Sequence, residues 1–90
     1  MDSREAQRLA EQAKARHQVP DDAQVTSVER RYIETVGPDP RVPAPVRDVL
    51  AWIVHLQRGR AWVDLAVADA TGEIVRVEWS RARLGRRHDR

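Results

Sequence analysis

Four carboxylates in the second half of the chain, Asp64, Asp69, Glu73 and Glu78, are the residue types that acid–base chemistry requires, because a pair on neighbouring strands can divide proton donation and acceptance. Their context points to structure instead. Asp69 and Glu73 bracket a turn where such residues are expected, and Asp64 is placed to pair across strands with Arg76. The histidines His17, His55 and His88 fall at a helix end, in a strand and in the terminal tail, without metal-ligand spacing. With no cysteine in the chain, a zinc site would have to be completed by carboxylates from distant positions. His55, between Val54 and Leu56, is the histidine expected to be partly buried. Gly37, Gly59, Gly72 and Gly85 each stand alone at a turn or in the tail, so there is no phosphate-cradling loop and no serine elbow. This inventory predicts no catalytic residue, no metal and no cofactor, and so no enzyme.

Binding chemistry is better represented. Trp52, Trp62 and Trp79 lie in three successive strand patterns. Trp52 keeps phase with Leu50, Val54 and Leu56, and Trp79 with Val75 and Val77, whereas Trp62 keeps phase with Arg60 and Asp64. That parity predicts Trp52 and Trp79 in the core and Trp62 exposed on a polar sheet face, a setting typical of partner recognition. The run 37–45 contains four prolines and cannot form regular structure. Its Pro40, Arg41 and Pro43 join Trp62 and Asp64 as predicted partner-binding residues. Residues 81–90 hold five Arg and one Asp, a net of +4. Against the chain's formal +2 this leaves residues 1–80 at −2. The basicity therefore belongs to a tail, where Arg81, Arg83, Arg86 and Arg87 are the residues that could contact phosphates. The tail lacks interleaved aromatics, which makes a solubilising or partner-docking arm the better expectation than nucleic-acid binding.

These groups must be positioned by one small core. A 90-residue chain buries roughly 60–65% of its unfolded surface, enough for a single domain over residues 1–80 with residues 81–90 as an Arg-rich tail. Hydrophobic residues make up 41% and charged residues 33%, a globular balance. Ala6, Leu9, Ala10 and Ala13 recur at helical spacing and predict a helix over 3–17, opened by an Asp2/Glu5 capping box and closed at Val19-Pro20. Beyond it, 24–36 reads as a strand whose broken alternation suggests a bulge or an edge position. Strand patterns follow at 49–57, 61–67 and 75–79, joined by the Arg58-Gly59 turn and by a 69–72 hairpin that needs Gly72 at positive φ. The expected architecture is α+β, one N-terminal helix packed on a four-stranded antiparallel meander, with the sheet's other face partly wet. The polar N-terminus and the lack of a long apolar run predict no membrane span, and as written the chain reads as soluble and cytoplasmic, or extracytoplasmic if the N-terminus has been trimmed.

The Ala-rich helix closing on Val19-Pro20-Asp21-Asp22-Ala23-Gln24-Val25, the central Ala51-Trp52-Ile53-Val54-His55-Leu56 and the hairpin 63–75 ending in Asp69-Ala70-Thr71-Gly72-Glu73-Ile74-Val75 together resemble a PepSY-like domain. The resemblance runs from Glu5 to Ser80. It implies a cystatin-like shape and a non-catalytic module of the kind found in metallopeptidase propeptides and cell-envelope proteins, which inhibits proteases or holds other proteins. Beside that protein-binding role stand two others: a small nucleic-acid accessory protein working through its tail, and a structural homo-oligomer, a homodimer formed through an exposed edge strand.

Overall fold

A computed structural model describes residues 1–35, 41 and 47–81. The chain forms α1 (Ser3–Ala13), a 3-10 turn (Ala15–His17), β1 (Gln24–Thr35), β2 (Arg47–Arg58), β3 (Ala61–Ala68) and β4 (Ile74–Trp79). The strands pair antiparallel in the order β1-β2-β3-β4, a meander with the helix on one face. This is the α+β architecture that the residue pattern predicts.

Helix α1 starts where Asp2 accepts the backbone N–H of Glu5 at 2.8 Å, filling one of the open donors of the first turn. It ends sooner than the pattern suggests. After Ala13 the chain tightens into the 3-10 turn, and Gln18 takes a left-handed conformation at φ 58°. Lys14 accompanies this change: it is buried, and its Nζ donates to the carbonyls of Ala23 at 2.6 Å and Asp21 at 3.1 Å while pairing with Glu11 Oε1 at 2.8 Å. A buried ammonium is tolerable only with such partners, and here it ties the helix exit to the segment entering β1.

The face under the helix is built of cross-strand rows. Val25, Leu56, Val63 and Trp79 form one, and Val28, Val54, Leu65 and Val77 the next. Ala6 and Ala10 close over these rows, their small side chains letting the helix backbone approach the sheet. Full burial of Leu56 and Leu65 contributes about 1.5–3 kcal/mol each.

Two bulges set what faces inward. One, at Thr26 in β1, puts Val25 and Val28 on the same face and accounts for Val25 falling out of phase, whereas Ile33 is out of phase because it faces the other side of the sheet. The other lies in β4, where Val67 pairs with Ile74 while Ala66 pairs with Arg76. Val75 is therefore the extra residue and is exposed, and Ile74 takes the core position that parity assigns to Val75. Trp52 and Trp79 do lie on the helix face but are only partly buried, because α1 is too short to cover the sheet from end to end.

The opposite face differs from the polar surface that alternation predicts. Ile33, Ala51, Ile53 and Ala66 form a second buried cluster there, with Val49 packed against it. No described helix is long and apolar enough to cross a membrane.

Candidate functional site

Two groups of side chains stand out from the packing core. The first occupies the helix-free face, where register places Ser27, His55, Asp64 and Glu78 in one row across all four strands. His55 Nδ1 lies 2.5 Å from Asp64 Oδ1, a hydrogen bond in which the ring N–H donates to the carboxylate. The His55 ring also packs on Trp62, with centroids 5.3 Å apart and planes tilted by 32°. Trp62 is held in turn by its backbone, whose N–H donates to Ser80 Oγ at 3.0 Å and whose carbonyl accepts from the Ser80 N–H at 2.9 Å.

Asp64 thus takes its partner from β2, where parity points to Arg76 on β4. Arg76 stands opposite Ala66, and its guanidinium lies 4.0 Å from Glu78. Trp62 and Asp64 are brought together as expected, with His55 as the group that joins them. His55 is partly buried, and so is His17, which its place at a helix end does not predict. Trp62 is partly covered by its stacking partner instead of standing free. Ser27 is opposite His55 but exposed, and Asp64 already occupies Nδ1. Among the described residues no three His, Asp or Glu side chains are arranged to hold a metal ion. What this row provides is a polar and aromatic patch.

The second group lies at the end of the β1–β2 hairpin that runs past β3. Residues 47–50 of β2 have partners in β1 but none in the β3 ladder, which begins at Ala51. On the helix side Arg30 stands opposite Trp52, in the last row of this face that reaches β3, and Tyr32 stands opposite Leu50 in the extension. The Arg30 guanidinium carbon is 5.5 Å from the Trp52 ring centroid, a cation–π contact. Trp52 is anchored from below, its Nε1–H donating to Asp69 Oδ1 at 2.8 Å, and the chain's terminal amine lies 3.9 Å from the same oxygen. Tyr32 is 68% exposed, well above the other large apolar side chains of the described residues. Among those residues β1 pairs only with β2, so within them its far side is a sheet edge.

Of the predicted binding residues, Arg41 is exposed in a turn and Arg81 is exposed just beyond β4. Pro40, Pro43, Arg83, Arg86 and Arg87, like Gly85 and His88, lie outside the described residues. Sequence reasoning does not single out Tyr32, Arg30 or Glu34 as a site. The available signal is the alternation Arg30-Tyr32-Glu34, a polar and aromatic set on the parity that elsewhere in β1 carries Val28. Comparisons of the chain with protein-family models, with curated proteins and with solved structures return no match.

Proposed function

We propose that this chain is a non-catalytic protein-binding module of PepSY-like kind, which engages a partner protein through the outer edge of β1. The observation that carries this reading is the open edge of a 12-residue strand with Tyr32 exposed beside the Arg30–Trp52 stack. An edge strand offers unpaired backbone donors and acceptors to an extended segment, while side chains of alternate residues supply selectivity. Trp52 is fixed by its hydrogen bond to Asp69, so the aromatic floor of the surface is ordered before a partner arrives and little entropy is lost on binding. The finer form of the reading, a protease-inhibitory or regulatory role, has this edge or the adjoining proline-rich segment occupy a partner's groove. The Trp62–His55–Asp64 patch supports a smaller contact on the other face.

Selection of randomised extended peptides displayed on phage against the immobilised chain tests the general form. Enriched peptides are expected to bind wild type and to lose about tenfold in affinity on Tyr32→Ala. Failure to enrich any sequence, or binding indifferent to Tyr32→Ala, overturns the edge as the binding surface. Titration of a thermolysin-type metallopeptidase with the chain tests the finer form, and undiminished peptidase activity at saturating chain counts against it.

A further inference from the structure

We infer that the partner taken by the β1 edge is a second copy of this chain, added antiparallel about a two-fold axis that stands perpendicular to the sheet at Tyr32. The inference rests on the reading of β1 as a binding edge and names its occupant. It follows from the order of charges on the strand. When two copies of one strand pair antiparallel about such an axis, each face is preserved, so directly opposed residues must share a face and one residue must oppose its own copy at the axis.

Few axis positions lie within the regular part of β1, beyond its bulge at Thr26. An axis at Arg30 sets Arg30 against its own copy, and one at Arg31 does the same for Arg31; like charges directly opposed disfavour both. An axis at Glu29 opposes two carboxylates. An axis at Ile33 shortens the ladder and sets Tyr32 against Glu34 and Arg31 against Thr35, so no cation meets a carboxylate. An axis at Tyr32 instead sets Tyr32 against Tyr32, with Arg30 opposite Glu34 of the second copy and Glu34 opposite its Arg30. Opposed Cβ atoms in such a ladder come within about 4.5–5.5 Å, so two ion pairs flank an aromatic pair on the helix side. On the other face Arg31 meets Ile33 and Glu29 meets Thr35, again without opposed like charges.

The groups are free to do this. Arg30 and Glu34 are exposed, Glu34 has no ion pair among the described residues, and Tyr32 reaches solvent. Arg30 is already held over Trp52, which orients its guanidinium on the helix side where the second copy's Glu34 arrives. The ladder, running from 29 to 35 in each copy, joins the two sheets into one continuous sheet with both helices on the same side.

Sedimentation equilibrium of the full chain across a concentration series tests the inference, with circular dichroism showing that each variant keeps its fold. Wild type is expected to dimerise reversibly. Arg30→Glu alone and Glu34→Arg alone each turn both ion pairs into repulsions and are expected to weaken dimerisation about tenfold or more. Mixing the two variants in equal amounts sets a carboxylate against a guanidinium on both sides of the axis, which restores association as a mixed dimer. A monomeric wild type overturns the inference; peptides still captured at β1 would leave the binding-module reading standing, whereas no capture would remove both. Single variants that dimerise as wild type does, or a mixture that stays monomeric, overturn the proposed register.

Discussion

At one end of the β1–β2 hairpin the helix-side positions are Val25, Val28, Val54 and Leu56, packed beneath Ala6 and Ala10; at the other end they are Arg30, Tyr32, Leu50 and Trp52, with Tyr32 reaching solvent. Both ends belong to the same two strands, share one ladder and obey the same alternation. The difference comes from what lies alongside. β3 runs beside the first end and reaches β2 only as far as Ala51, so Trp52 still has Val67 opposite it, whereas Leu50 and its β1 partner Tyr32 have no partner in the β3 ladder. Where a neighbour is present, side chains contribute by leaving water and the site tolerates little change in volume. Where none is present, the same backbone displays an open edge, and the side chains on it are free to be chosen for recognition.

The sharpest contrast is expected between Leu65→Ala under the helix and Tyr32→Ala on the hairpin end. Leu65 is fully buried, so its truncation is expected to cost about 2–5 kcal/mol in urea denaturation. Tyr32→Ala is expected to stay within about 0.5 kcal/mol of wild type. A large loss for Tyr32→Ala would mean that the hairpin end is part of the core.

A second contrast compares a covered ionic contact with an open one. Lys14→Met removes the donor shared by the Asp21 and Ala23 carbonyls, and leaving the buried Ala23 acceptor unmet costs about 1–3 kcal/mol. Arg58 pairs with Asp22 at 3.3 Å, but both side chains are more than half exposed, so Arg58→Ala is expected to cost no more than about 0.5–1 kcal/mol. Equal unfolding midpoints for the two variants would show that the Lys14 contacts do not hold the helix exit.

The smallest difference lies between two turns. Gly72 and Gly59 both adopt positive φ, 77° and 62°, where a side chain costs about 1–2 kcal/mol. A Cβ at Gly72 would also stand 3.1 Å from Leu9 Cδ1 on the helix, while one at Gly59 would meet nothing within 4 Å. Thermal unfolding is expected to rank Gly72→Ala below Gly59→Ala by roughly 0.5 kcal/mol, since Leu9 must shift only slightly. The reverse order would place the more constrained turn at the β2–β3 connection.

Much of this molecule is written in its local patterns. The Asp2 cap, the alanine face of α1, the positive φ at Gly72 and the disturbance in β1 are all legible in the sequence, because each depends on residues within a few positions of one another. Helical and strand periodicity are properties of the backbone, and side chains that share a period declare the element that carries them. The end of the helix is less legible, since the Lys14 side chain reaches carbonyls that arrive only when the chain has turned back toward β1.

The contacts that give the surface its character were decided by tertiary structure. Parity places Trp62 and Asp64 on one face, but only the β2–β3 register could bring His55 to them in place of Arg76. A bulge opposite Ala66 and Val67 exchanged Val75 for Ile74, which alternation within β4 does not announce. The sequence determined which residues could line a face. Which of them meet, and whether a face is covered, depended on register and on the reach of a short helix, quantities set by pairing between distant segments and absent from the spacing within any one of them.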